Sequence, residues 1–392
     1  MIRLFINGLA ASAGGGLTYL RNVIPHLSLR EDAVTTVALS PAMYTEFGEL
    51  PRISFVETLE ASGASKRFFR EQTQLPKMIR QSGAQVLISA GNFALWNSPV
   101  PQILLSRNSL YTSADFLSDV RARGDYAIWL DTLVKGYLAR RSIVHANVTV
   151  APSEAFADDL TKWSGKKVVA LHHGFDPDAF SRDSTPLPAA AQAELEGTGD
   201  AYRLLFVSHY NYYRNFETLF RALPLLSSRL APRKIKLLLT CRLDSQANPG
   251  SYRADDASSL LDSLRSSESV VELGAVPYRS LHHLYRACHI YVSPAYTESF
   301  AHPLIEAMSS GLPVVASDLP VHREVCGEAA VYFPRFSAGA LAERVLEVER
   351  SPRLAETLSQ NGLRRSRDFR WDVHVARLVE LAHELVGAHC TS

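Results

Sequence analysis

Residues 293–318, SPAYTESFAHPLIEAMSSGLPVVASD, place a loop, a short helix and a strand in immediate succession. Pro303 suits the first turn of a helix, where its missing N–H would have no partner anyway. Leu304, Ile305, Ala307 and Met308 make that helix nearly all apolar, so it is expected to be buried. Gly311 ends it, because glycine tolerates left-handed dihedrals. Leu312 to Ala316 follows as a buried strand.

The same stretch carries two carboxylates, Glu298 in the loop and Glu306 in the helix. The N–H groups of residues 301, 302 and 304 lack helical partners and sit beside Glu298. Such a helix start attracts a phosphate. A carboxylate held near a phosphate is unfavourable unless it contacts something else, such as sugar hydroxyls. Glu306 lies about two turns along, at roughly 1.5 Å per residue. That reach suits a second hydroxyl-bearing group, such as a ribose. Taken alone, the two residues read equally well as a solvated loop glutamate and a helix glutamate paired with an arginine.

Strand–loop–helix units recur along the chain. Ile2 to Ile6 reads as the first strand of a parallel sheet. Ala13-Gly14-Gly15-Gly16 follows, then a segment with Leu17, Leu20, Ile24 and Leu27 at helical spacing. Strand, glycine loop and helix let backbone approach a diphosphate, although a flexible turn reads the glycines as well. The G-x-G-x-x-G dinucleotide fingerprint is absent, which argues against an oxidoreductase. Residues 84–92 and 101–108 are strand-then-loop units, so Asn92, Arg107 and Asn108 fall where open sheets bind ligands. Residues 125–145 read as a long helix, and 338–362 and 371–387 as further helices. Residues 181–200, rich in Ser, Pro, Ala and Gly, read as a linker. The pattern then restarts with strand YRLLFVS, loop HYNYYRN and helix FETLFRALPLL.

The string E-S-F-A-H-P-L-I-E-A-M, followed by S-G-L-P-V-V-A-S-D, has Glu298 and Glu306 separated by seven residues. It resembles the paired-glutamate motif of retaining GT-B glycosyltransferases of family 4 type, glycosyl transferases group 1. The resemblance implies an α/β chain of two Rossmann-like domains facing each other across a cleft. Residues 1–180 would bind the acceptor, 181–200 would link, 201–370 would bind a nucleotide sugar, and the helix 371–392 would cross back. By the same resemblance Glu298 and Arg214 are the catalytic candidates. Gly15, Gly16, His209, Arg214, Asn215, Glu298, Ser299, Phe300, Ala301 and Glu306 are the donor-binding ones. Asn92, Arg107 and Asn108 are acceptor-binding candidates.

No metal and no resident cofactor are expected, since GT-B transferases generally need no divalent ion. The co-substrate would be a GDP- or UDP-linked sugar, with mannose the first choice. The acceptor would be a glycan, a lipid-linked molecule or a small molecule, and polysaccharide building a setting. The alternatives are an epimerase or hydrolase on the same plan, or a non-catalytic sugar-nucleotide-binding subunit. The chain departs from the family at four places. Ala301 stands where glycine is usual and His302 differs. Ser208-His209 replaces a glycine–arginine pair, with Arg214 at the lysine position. Arg107-Asn108 stands where many members have a histidine.

Composition narrows the class. The 392 residues suffice for two domains, and 46% apolar with 21% charged content is ordinary for a globular protein. A net charge of +1 argues against a general nucleic-acid surface. Cysteines 241, 288, 326 and 390 show no metal spacing and read as reduced thiols of a cytoplasmic chain. The N-terminal apolar run is broken by Asn7 and Gly8, so it reads as a strand and not a signal peptide. Residues 62–82 are basic with interleaved aromatics. They read as a surface helix ending near Pro76 or, with a lipid-linked acceptor, as a peripheral patch at the inner membrane face.

Overall fold

The computed structural model describes residues 1–10, 15–40, 43, 46–57, 64–243, 252–264 and 267–390. Two compact units divide the chain. The first comprises Met1–Thr112, Leu130–Gly174 and Arg370–Ser392; the second comprises Ser113–Trp129 and Phe175–Phe369.

The first unit is a parallel sheet of β1 (Ile2–Asn7), β2 (Ala33–Leu39), β3 (Ile53–Glu57), β4 (Val86–Ser89), β5 (Gln102–Leu105), β6 (Val148–Ala151) and β7 (Val169–Ala170). The spatial order is β3-β2-β1-β4-β5-β6-β7. Leu4 pairs with Thr35 on one side and Val86 on the other. The order reverses between β1 and β4, which is the Rossmann switch point. Helix Gly15–Ser28 buries Leu20, Val23, Ile24 and Leu27 against Ile2, Leu4 and Ile6. Helix Trp371–Cys390 adds Trp371, Val375, Leu378 and Val379 to the same core. Gly174 permits this packing, because a Cβ there would lie 2.2 Å from the Trp371 backbone nitrogen.

Helix Ala64–Ser82 runs through Pro76 instead of ending there. Leu75 and Ile79, on either side of the proline, are buried in one cluster with Phe5 and Leu87. That packing outweighs the single backbone hydrogen bond the proline removes.

The second unit repeats the plan. It contains β8 (Tyr202–Phe206), β9 (Ile235–Leu239), β10 (Val270–Glu272), β11 (Ile290–Ser293), β12 (Val314–Ser317) and β13 (Ala330–Phe333). All are parallel, in the order β10-β9-β8-β11-β12-β13, with the reversal between β8 and β11. Tyr291 pairs with Leu205 across that switch point and with Val314 beyond it. The stretch 181–200, expected as a linker, lies inside this unit and carries helix Ala189–Glu196. The helical region from 338 is two helices, Ala338–Arg350 and Pro352–Arg365. Ser351 caps the second by accepting from the Leu354 N–H at 3.2 Å.

Ser113–Trp129 belongs to the second unit through packing and charge, with Phe116 buried 6.5 Å from the rings of Tyr213 and Tyr252. Arg123 bonds Asp119 at 2.8 Å, Glu217 at 3.0 Å and Asp256 at 3.1 Å, and lies 4.3 Å over the Tyr212 ring. Burial opposes its charge, but these carboxylates hold the guanidinium more firmly protonated than usual. Asp115 pairs with Arg335 at 2.8 Å, and Asp125 with Arg253 at 2.9 Å.

Candidate functional site

Two loops leave the carboxyl ends of β8 and β11, the adjacent strands at the second unit's switch point. In open α/β sheets this is where ligands bind. The first loop ends in a single turn, Tyr212–Arg214, and then Asn215. Asn215 adopts the left-handed conformation, φ 57° and ψ 49°, at the start of helix Phe216–Leu230. The second loop ends likewise. Ala301, at φ 62° and ψ 60°, opens helix His302–Ser309. Each loop therefore turns sharply and aims a helix start at the switch point.

Backbone and side-chain bonds lock the loops together. The Tyr296 N–H donates to the Tyr213 carbonyl at 3.0 Å. Asn215 Nδ2 donates to the Pro294 carbonyl at 3.0 Å, while its Oδ1 accepts from Thr218 at 2.8 Å. Both ends of this buried side chain are thus committed to the scaffold. Ser317 Oγ donates to the Ala295 carbonyl. The Ser208 N–H donates to Thr240 Oγ1 at 3.0 Å, tying the first loop to the end of β9.

The two catalytic candidates meet here. Arg214 Nη1 bonds Glu298 Oε1, and the guanidinium lies 4.9 Å over the Tyr213 ring. Burial opposes its charge, yet Glu298 and the tyrosines outweigh it, so Arg214 is held more firmly protonated than usual. Its Nε is buried without a hydrogen-bond partner. His209 is exposed nearby. Partial desolvation and then the Arg214 charge lower its pKa, which leaves a neutral imidazole able to donate one N–H. Ser299 is half-buried, and Phe300 turns into the core, 5.5 Å from the Phe369 ring.

Glu306 is buried on helix His302–Ser309 and accepts from the Tyr285 hydroxyl at 2.8 Å. Desolvation pushes its carboxyl up to about 7, and the Tyr285 bond offsets this only in part. Tyr285 and Tyr213 escape sequence reasoning, because neither belongs to a spaced motif. Asp119 and Arg123 escape it too. Asp119 accepts from Tyr296 at 2.7 Å, so a segment far upstream braces the second loop.

In the first unit, Gly15 and Gly16 open helix Gly15–Ser28, while Ala13 and Gly14 lie outside the described residues. A Cβ at Gly15 would meet nothing within 4 Å, so packing does not require that glycine. Asn92 Oδ1 accepts from the Arg107 N–H at 2.8 Å. The Arg107 guanidinium donates to the carbonyls of Ala90 and Gly15 and lies 4.8 Å over the Tyr19 ring. Burial lowers its pKa, with Tyr19 offsetting a little. Gly15, Asn92 and Arg107 thus form one group. Asn108 does other work, its Oδ1 capping the turn Ser109–Tyr111. Among the described residues no group of three His, Cys, Asp or Glu is placed to hold a metal.

Residues 191–365, a little under half of the chain, match the family described as Glycosyl transferases group 1. O-antigen chain mannosyltransferase B of Escherichia coli is 33% identical over 100 residues, 26% of each chain. A D-inositol 3-phosphate glycosyltransferase of Thermomonospora curvata is 28% identical over 184 residues, 46% of this chain and 42% of that protein. The chain therefore spans less than half the length of these two relatives. The structure of sucrose-phosphate synthase from Thermosynechococcus elongatus superposes with a TM-score of 0.78 over 99% of this chain and 100% of that one, at 19% identity. The fold is GT-B, built of two Rossmann-like units, and the second unit carries the glycosyl transferases group 1 segment.

Proposed function

We propose that the protein is a retaining glycosyltransferase of family 4 type. It moves a sugar from a nucleoside diphosphate to a glycan, a lipid-linked molecule or a small-molecule acceptor. The observation that carries this reading is the convergence of Arg214, Glu298 and the start of helix His302–Ser309 at the β8/β11 switch point. The costly charge in such a reaction is the departing nucleoside diphosphate. Arg214, the neutral His209 N–H and the backbone N–H groups near 299–302 would stabilise it by preorganised donation. Glu298 would hold hydroxyls of the sugar, and Glu306 the ribose. Gly15 and Gly16 would approach the diphosphate from the first unit, and Asn92 and Arg107 would serve the acceptor. No resident cofactor takes part.

Glu298 and Glu306 are not cast as nucleophile and acid. A retaining hydrolase needs its carboxyls about 5 Å apart across the glycosidic bond, whereas Glu298 is paired with Arg214 and Glu306 with Tyr285. Attack from the leaving-group face, with a donor phosphate oxygen taking the acceptor proton, suits these roles better. GDP-mannose is the first donor to test, since the O-antigen relative is named a mannosyltransferase. UDP-sugars are the second.

Thermal shifts with GDP, UDP, ADP and TDP, without metal, test the reading. A nucleotide that binds the folded state raises the midpoint by mass action. One nucleotide should do so in the wild type and not in Glu306→Ala. No shift with any of the four removes the donor site. Donor breakdown without acceptor would replace the transferase with an epimerase or hydrolase, and binding without turnover would indicate a binding subunit.

A further inference from the structure

Residues 130–145 of helix Tyr126–His145 belong to the first unit. The buried face is lined by small side chains and one isoleucine: Thr132, Gly136, Ala139, Ser142 and Ile143. The opposite face carries Leu130, Val134, Tyr137 and Val144, which are 58%, 52%, 63% and 47% exposed. Leu130, Val134 and Tyr137 recur at helical spacing, and Val144 follows two turns on, beyond the exposed Arg141, so the four lie along one face about 20 Å long at 1.5 Å per residue. Single exposed apolar residues are ordinary, but a row of them along one face marks an interaction surface.

The stripe continues onto a second helix. Trp96 stacks on His145 at 5.9 Å, and Phe68 meets the Trp96 ring edge-on at 5.6 Å. Phe68 lies on helix Ala64–Ser82, next to Phe69, which is 72% exposed. Among its described side chains that helix buries Glu71, Leu75 and Ile79, while Lys66, Arg70, Lys77 and Arg80 are exposed. Together the two helices hold eight cations, the four just named with Arg67, Lys135, Arg140 and Arg141. Against these stand two carboxylates, Glu71 and Asp131, so their net charge is +6 in a chain of net charge +1. Glu71 is buried on Asn7, and Asp131 is paired with Lys135.

We propose that this surface docks the first unit onto the interface of an anionic lipid bilayer. Leu130, Val134, Tyr137 and Phe69 enter the boundary of the acyl chains, and the cations meet headgroup phosphates. A second copy would set two +6 surfaces against each other. A hydrophilic polyanion would leave the aliphatic stripe in water. An anionic bilayer surface satisfies both features. The docking is peripheral: among the described residues no helix is long and apolar enough to cross a membrane. The inference rests on the first unit's surface and not on the donor reading of the second.

The test is co-sedimentation of the full chain with sucrose-loaded vesicles of phosphatidylcholine, with and without phosphatidylglycerol. The wild type should pellet only with the anionic vesicles, and less so at high salt. Arg140→Gln with Arg141→Gln should lower the partition coefficient about 25-fold, at about fivefold per cation. Leu130→Ser should lower it roughly tenfold or more. The variants should keep the wild-type melting midpoint and nucleotide-induced shift. Vesicle binding that ignores phosphatidylglycerol, or survives both changes, overturns the proposal. So does a dimer in light scattering that Leu130→Ser dissolves, or heparin binding that only the arginine changes weaken. A wild type that fails to pellet with the anionic vesicles while its nucleotide shift is intact sinks this inference and leaves the donor reading standing.

Discussion

Arg214 Nη1 is bonded to Glu298 Oε1, which joins the loop after β8 to the loop after β11 across 84 residues of sequence. The expected roles, phosphate for one and sugar hydroxyls for the other, therefore fall to two groups that already neutralise each other. With side chains only 18% and 10% exposed, neither charge is well solvated alone. Arg214→Ala should cost about 3 kcal/mol of unfolding free energy, because it leaves a carboxylate without its cation. Arg214→Ala with Glu298→Ala should cost less than the two single changes added together. Urea unfolding of the four proteins measures the coupling, and additivity would show that the pair contributes nothing.

Glu306 predicts a stability that falls as pH rises. Its folded carboxyl titrates near 7, above the ordinary 4.5. Between those values the folded state binds a proton that the unfolded state has released, so the fold is favoured at the acid end. The contribution is fully present below about pH 4.5 and is lost as pH climbs through 7, a difference of about 3 kcal/mol. Other carboxylates titrate too, so the quantity to compare is wild type minus Glu306→Gln at pH 5 and pH 8. Glu306→Gln should be the more stable at pH 8. If Glu306 accepts from ribose in its ionised form, nucleotide affinity should also rise about tenfold per pH unit below 7, and that slope should vanish in Glu306→Gln.

Ala301 holds a left-handed conformation that costs a side-chain-bearing residue energy. Ala301→Gly should raise stability by roughly 0.5–1 kcal/mol, net of glycine's greater freedom when unfolded. The change in urea midpoint decides it, and a fall would mean that the buried methyl matters more than the dihedral.

Arg123 braces the first loop through Tyr212 and Glu217. Arg123→Ala should cost about 3–5 kcal/mol, since buried Glu217 loses its cation. Arg123→Lys should fall between, keeping the charge without the fork. A smaller nucleotide-induced shift in Arg123→Lys, at matched stability, would separate a role in positioning the loop from simple support of the fold.

Gly174→Ala tests the closest approach in the first unit. The added methyl would lie 2.2 Å from the Trp371 backbone nitrogen. A loss of about 3 kcal/mol is expected, the upper end for overpacking. A neutral result would show that helix Trp371–Cys390 shifts freely.

Much of this was legible locally. The apolar run 312–316 reads as a buried strand and YRLLFVS, 202–208, as a strand, and Pro303 and Gly311 bracket the helix between the loop and β12. The glycine usual at position 301 has a physical reason in the positive φ found there. Helix Ala64–Ser82 continues through Pro76 against the local rule, because the burial of Leu75 and Ile79 outweighs it. Tyr285 could not be foreseen as the partner of Glu306, since a separation of 21 in sequence and a strand set them apart.

The sequence by itself determined the elements, their caps and the residue types at the two loop ends. Those depend on side chains and dihedrals only a few positions apart. The tertiary structure alone decided which charges meet. Arg214 faces Glu298 because β8 lies beside β11, and Arg123 reaches Glu217 because Ser113–Trp129 packs on the second unit. Strand order and the placing of that segment are set by the burial of whole faces. No short window of sequence records which distant face will be the one that covers it.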